Sequence, residues 1–576
     1  MVYCGKPSRG CQMCRSRRIK CDETKPTCNQ CAKSRRQCPG YKDEFDLVFR
    51  NETQATERRA RKASKKANNK DAQQQGSAHD TADSGMNVFS TTGQTMSLMP
   101  RPPVKQEADC YFLANFVMTP SETRGTRGFS DWIVPMMQHS GGQVDNHLQY
   151  AFNACSIALL NNKSGSLNRL NEKALFEYTR ALSATNAALR DPKTQMSDST
   201  LAAVLLLGQY ENITARKIGT LSWGSHIEGA MQIVKARGKK QLQSEVGRLL
   251  FVSVRAMMII HAITSGQPPP MGADWWIADA ARDESSTLCQ RFAIKAAEIR
   301  AEVARVMSTM QRTSTSTKIM MAIIRKCQQL DLDIQSWMQT RPENWQCKTV
   351  AWESSIPSNG DYSKLEVFPG RIDVFADLYV ASTWSLARTT RMLMATTIMR
   401  CAAWVVAPVD YRTTSEYATS SRICIDMVTD IIASIPFHFG LRQRRPSLFD
   451  GSTDTSFACG DGMGTSALAG YLAVWPLGHI YHSDFSTDNQ VAWVGGRLKY
   501  IGDVLGIKYA LIVRSLRLKL PSGLIRRDGY SLVQNSHNIL GILQGKVPAP
   551  AGTAPTTMTP NHALPSSTGG THGKVE

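Results

Sequence analysis

CQMCRSRRIKCDETKPTCNQCAKSRRQC, running from Cys11 to Cys38, holds six cysteines in 28 residues at the spacing C-x2-C-x6-C-x6-C-x2-C-x6-C. It is one unit written twice: Cys11, Cys14 and Cys21, then Cys28, Cys31 and Cys38. Six sulfurs cannot give two metal ions four private ligands each, but they suffice when two sulfurs are shared. A pair of Zn2+ ions with two bridging and four terminal thiolates gives each metal the tetrahedral sulfur shell that zinc prefers. Such a cluster is anionic, and the residues around its cysteines are basic: Arg15, Arg17, Arg18, Lys20, Lys25, Lys33, Arg35 and Arg36. A disulfide knot would need an oxidising compartment, and the opening MVYCGKPSRG lacks the apolar core of a secretory signal. Two CxxC units at matched spacing, each completed by a third cysteine, favour the two-metal reading over a one-metal finger or an iron–sulfur site.

From Arg9 to about Tyr41 the segment resembles the fungal six-cysteine zinc binuclear cluster, a DNA-binding module of transcription factors. The likeness rests on CRSRRIKCD, on the Lys25-Pro26 turn between the units and on the closing CPGY. The resemblance implies that the first and fourth cysteines, Cys11 and Cys28, bridge the two metals. Each CxxC is expected to open a short helix, Gln12–Arg18 and Asn29–Arg35, whose N-terminal N–H groups suit phosphate. The resemblance further implies a helix in the major groove, with half-site spacing set by dimerisation. It also implies a basic pair late in the first helix, Arg17 and Arg18, set against a short G-rich triplet. Arg18 is the expected principal base reader, because arginine can read guanine O6 and N7 bidentately for about 1–3 kcal/mol of discrimination. Arg17 and Lys20 are expected to assist; Arg15, Lys33, Arg35 and Arg36 are expected on phosphates. For any one of these side chains the alternative is a solvated charge offsetting the cluster.

Charge agrees with a nucleic-acid-binding end. The chain of 576 residues carries +20, and its first 70 residues hold 19 Lys+Arg against 7 Asp+Glu, so +12 of the excess is local. The other nine cysteines form no second CxxC and read as reduced, mostly buried thiols. The most apolar run, LLFVSVRAMMIIHAI from Leu249, carries Arg255 and reads as too short to span a bilayer, so no membrane partner is expected. The basic run Arg58 to Lys66 reads as a nuclear address or a phosphate contact, with a solvated linker as the alternative. No apolar heptad follows the cluster, which leaves a homodimer open. Residues from Asp71 to about Gln106 are Gln-, Ser-, Thr- and Gly-rich and read as a disordered tether.

The expected organisation is a zinc cluster at 9–41, a basic and then disordered linker at 42–107, a large all-α regulatory domain at 108–546 and a disordered tail at 547–576. Helical periodicity marks His147–Leu160, Ser166–Asp191, the stretch after Asp198 (expected to cap it), and the segments ending at Gly238 and before Pro268. Further segments are Gln290–Gln311, Lys318–Gln339, Ile372–Met399, Thr413–Ile435, Asn489–Leu505 and Gly529–Leu543. W-x2-H-x2-GA with a following RG (Trp223, His226, Gly229, Ala230, Arg237, Gly238), and WPL at Trp475–Leu477, resemble the fungus-specific regulatory domain that accompanies such clusters. They are read as helix-packing residues, with no ligand site assigned.

No enzyme reading survives inspection. GDGMGTSALAG (Gly460–Gly470) is neither G-x-G-x-x-G nor a P-loop. His479 and His482 lack an H-E-x-x-H context, and no G-x-S-x-G occurs. The chain therefore reads as a zinc-dependent, sequence-specific DNA-binding regulator of RNA polymerase II genes. It is expected in the nucleus, on double-stranded DNA, in contact with the transcription machinery. By analogy with the family it is expected to control a metabolic or secondary-metabolite pathway. The alternative is a helical ligand-sensing or interaction protein with an accessory zinc module.

Overall fold

The structure, a computed structural model, describes residues 11–38 apart from Arg18, Glu23, Lys25 and Pro26, and most of 102–530; it leaves out 121–127, 139–143, 165–169, 216–222, 278–283, 446–465 and residue 517. The expectations for Arg18, the Lys25-Pro26 turn, CPGY, the Arg58–Lys66 run, most of the tether, most of the Gly460–Gly470 loop, the chain beyond Tyr530 and the tail lie outside the described residues.

The larger body is built from helices because its apolar residues recur at helical spacing and its stops are local. Asn146–Ser164 packs on Asn171–Arg190 and on Asp198–Thr214. Leu378–Val406 is buried on all sides, the mark of a core helix, and lies against Glu284–Thr309, Ser314–Gln339 and Ser415–His438. Small polar residues start several of these helices: Ser244 Oγ accepts the Gly247 N–H (3.0 Å) and Asp377 Oδ1 accepts the Val380 N–H (2.9 Å). The Glu245–Ser265 helix ends at Gly266, whose φ of 70° is the left-handed cap that glycine adopts without strain.

Three readings are corrected. Ser197, not Asp198, caps its helix: its Oγ accepts the Thr200 N–H (3.2 Å), while Asp198 begins the helix and pairs with Arg237. The segment read as a helix from Ile372 begins as a strand. Strand β1, Lys348–Glu353, pairs antiparallel with β2, Gly370–Val374, and the helix starts only at Leu378 after the Asp377 cap. The apolar run from Leu249 belongs to the 21-residue helix Glu245–Ser265, which by length and composition could cross a membrane. In the fold, 56% of its most apolar window is buried. Arg255, fully buried within it, donates from Nε to Gln290 (2.5 Å) and from Nη1 to the Trp276 carbonyl (2.9 Å).

An ionic knot ties the hairpin to the core helices. Arg388, 2% exposed, lies 3.6 Å from Asp373 and donates to the Asp430 carbonyl (3.0 Å). Arg371 bridges Asp373 (3.1 Å) and Asp430 (2.6 Å). Removing one partner strands a buried charge, which costs more than the pair itself contributes. Asp373→Ala should therefore lower stability by about 3–5 kcal/mol, read by denaturant unfolding of the helical body; a change below about 1 kcal/mol would show that water reaches the two guanidiniums.

Candidate metal centre and nucleic-acid interface

The two CxxC units fold alike, into the five-residue helices Gln12–Ser16 and Asn29–Lys33. In each unit the first cysteine caps the turn. Cys11 Sγ accepts the Cys14 N–H (3.4 Å) and Cys28 Sγ accepts the Cys31 N–H (3.3 Å). Each sulfur thereby satisfies a helix N-terminal N–H that has no backbone acceptor of its own. Both helices are shorter than expected from the sequence, ending at Ser16 and Lys33.

Six sulfurs converge. Cys11, Cys14, Cys21 and Cys28 form one quartet; Cys11, Cys28, Cys31 and Cys38 form a second; Cys11 and Cys28 belong to both, with all sulfurs of a quartet within 4.8 Å. Cys11 lies 3.7 Å from Cys28 and from Cys31, and Cys14 lies 3.6 Å from Cys28. A tetrahedron with Zn–S of about 2.3 Å has an edge of about 3.8 Å, so the sulfurs fit zinc, and these separations are far from a disulfide's S–S bond of about 2.05 Å. Cys11, Cys14, Cys28 and Cys31 are fully buried; Cys21 and Cys38 are half-buried. Burial, then the neighbouring sulfurs, pushes the Cys31 thiol up to about 12, and burial raises Cys11 and Cys14 as well. Thiols packed this closely ionise only against cations, which is what two divalent ions would supply.

The basic residues surround this knot. Arg17, Lys20, Lys33, Arg35 and Arg36 are exposed, Arg15 lies on the first helix, and Arg18 is outside the described residues. Arg17 is tied down: its Nη1 donates to Ser34 Oγ (3.2 Å), joining one half of the module to the other. Arg35 holds a left-handed conformation (φ 49°), which costs a residue with a side chain about 1–2 kcal/mol.

Sequence reasoning missed the supports of the second helix. Asp22 accepts the Asn29 N–H (3.1 Å) and the Thr24 hydroxyl, and Asn29 Nδ2 donates to Thr24 (3.2 Å). The Thr24 hydroxyl first, then the backbone N–H groups, holds the Asp22 carboxyl below the usual carboxylate range. Because that value is depressed on folding, the support is present at neutral pH and lost as pH falls through the carboxylate range. The signal was an aspartate seven residues ahead of a helix start, too distant for a capping rule to catch.

This constellation defines the class: a two-metal thiolate module with a basic exterior, joined to a large helical body. Residues 9–46 match the fungal Zn(2)-Cys(6) binuclear cluster domain, and residues 110–407 match the fungal specific transcription factor domain. The chain belongs to that fungal transcription factor family; it is a zinc-dependent DNA-binding transcription regulator whose cluster binds two Zn2+ ions.

The transcription factor dbaG of Emericella nidulans is 22% identical over 333 residues, covering 57% of this chain and 72% of that protein. Two matches rest on short segments. White-opaque regulator 2 of Candida albicans is 62% identical over 34 residues, 6% of this chain and 8% of that one. The lysine biosynthesis regulatory protein LYS14 of Saccharomyces cerevisiae is 69% identical over 29 residues, 5% and 4% of the two chains. No solved structure matches the chain.

Proposed function

We propose that Cys11 and Cys28 bridge the two zinc ions, that Cys14, Cys21, Cys31 and Cys38 are the terminal ligands, and that the module sets its two short helices against a G-rich triplet in double-stranded DNA. Arg18 reads the bases with help from Arg17 and Lys20, while Arg15, Lys33, Arg35 and Arg36 hold phosphates. The observation that carries this reading is the pair of sulfur quartets sharing Cys11 and Cys28 beneath exposed basic residues. The chain regulates RNA polymerase II genes in the nucleus, in contact with the transcription machinery, and the helical body controls rather than catalyses. A metabolic or biosynthetic pathway as the target is supported by the name of the lysine biosynthesis regulator that is similar to this chain over 29 residues. The absence of an apolar heptad leaves the homodimer to be decided by half-site spacing.

Selection of duplexes bound by the zinc-loaded chain from a random pool tests this. The expected result is enrichment of a G-rich triplet, lost on chelation and weakened steeply by salt. No enrichment with both metals bound would overturn it. The same chain lacking Arg58–Lys66 should lose nuclear accumulation; an unchanged distribution would leave that run a linker.

A further inference from the structure

The helical body contains a cavity of about 540 Å³, within the size range of small-molecule sites. Its walls come from Glu245–Ser265, Glu284–Thr309, Leu378–Val406, Ala467–Tyr481 and Tyr509–Ser515. Most of the lining is apolar, including Ile260, Ile263, Met392, Leu393 and Leu472. Trp223 and Trp475 both reach it, so the two tryptophan motifs, 252 positions apart, converge on one space.

Four basic side chains also reach that space. Arg300, Arg400, His479 and His482 all line it. Arg400 is satisfied, since both oxygens of Asp528 accept from it. Arg300 donates from Nη1 to the Ile263 carbonyl and has no carboxylate partner among the described residues. Burial first, and then Arg400 and Arg527, lower the Arg300 guanidinium to about 10. His482 Nε2 lies 3.2 Å from the Val513 carbonyl. The His479 Nε2 and Trp475 Nε1 atoms are buried and meet no partner among the described residues. The two rings are in contact, centroids 4.3 Å apart and tilted at 52°. Burial, Arg300 and His482 together keep His479 neutral, lowering it to about 3. A half-buried guanidinium with no carboxylate partner among the described residues, beside the unpartnered Trp475 N–H, asks for an anionic acceptor; the rest of the cavity asks for hydrocarbon.

We propose that this cavity is the binding site for a hydrophobic monoanion, an apolar aromatic or aliphatic body bearing one carboxylate or comparable oxyanion, whose charge sits on Arg300 with His479 and Trp475 beside it. The site is separate from the zinc cluster and stands whether or not the DNA reading holds.

The test uses the full zinc-loaded chain with two probes of matched body, 1-pyrenebutyrate and 1-pyrenebutanol, followed by quenching of tryptophan emission. The expected result is saturable binding of the acid, tighter than the alcohol by about tenfold or more, the size of one charge-assisted hydrogen bond. Arg300→Gln should erase that preference while still binding the alcohol. Leu393→Trp, which extends an apolar ring into the cavity, should weaken both probes by about tenfold and leave the chain folded by circular dichroism. Failure of the unaltered chain to bind either probe overturns the proposal. So does equal affinity for the two, a preference that survives Arg300→Gln, or indifference to Leu393→Trp in a folded chain. Should Arg300→Gln not fold, the acid-to-alcohol ratio of the unaltered chain and the Leu393→Trp result decide the matter between them.

Discussion

Cys28→Ala is expected to strip both zinc ions from the chain and abolish its DNA binding. Cys28 stands in both sulfur quartets, 3.7 Å from Cys11 and 3.6 Å from Cys14, so no quartet remains complete without it. It also caps the Asn29–Lys33 helix through the Cys31 N–H, so the same substitution removes a ligand and a helix start together. A module of this size holds its fold through its metals: among the described residues its buried cluster is Cys11, Cys14, Cys28 and Cys31, with Met13, Cys21 and Cys38 packed against it. Structural zinc contributes roughly 10–16 kcal/mol of coupled binding and folding free energy, well beyond what the remaining contacts could replace. Cys38→Ala is the informative contrast, because Cys38 is half-buried and belongs to one quartet only. It should weaken one metal and leave the other. Elemental analysis of the dialysed chain under reducing, zinc-replete conditions reads both; two zinc ions retained by Cys28→Ala would refute the shared position.

What could be read from the residues alone, and what could not, follows the range of the physics involved. The metal centre is local. Ligand type and spacing carry it, and the convergence of all six sulfurs needs no information from the rest of the chain. The helices were legible wherever one apolar face repeated, as in Asn171–Arg190, and their ends wherever a glycine or proline stood, as at Gly266. Ile372 was misplaced because a five-residue strand before a long apolar helix offers no period of its own; the pairing partner, Ala351, decides it. Asp198 and Ser197 are both good caps by type, and only the Thr200 N–H chooses between them. The cavity was illegible. Trp223 and Trp475 are each ordinary packing residues within their own helices, and Arg300 is one of many arginines. Only the packing of distant helices sets them around one space and leaves that guanidinium without a carboxylate partner among the described residues.

Arg18→Ala should relax base preference far more than it weakens binding to unrelated duplexes. The expectation begins with Arg17. Its guanidinium donates to Ser34 across the module, so its part in base reading is an assisting one. The next basic positions along the chain are Arg18 and Lys20, and of these only an arginine offers the planar fork that matches guanine O6 and N7 together. Its loss should cost about 1–3 kcal/mol at one base pair of the triplet, roughly a 5- to 150-fold fall in discrimination there, with the slope of log affinity against log salt nearly unchanged. Lys33→Ala should do the reverse, weakening all sequences alike and reducing that slope by about one. Binding titrations on the selected site and on its single-base variants, each at several salt concentrations, separate the two. A uniform loss for Arg18→Ala across every duplex would move that residue to the phosphates and leave Lys20 as the base reader. A loss confined to one position would fix which guanine faces the end of the first helix, and with it the orientation of the module on the duplex.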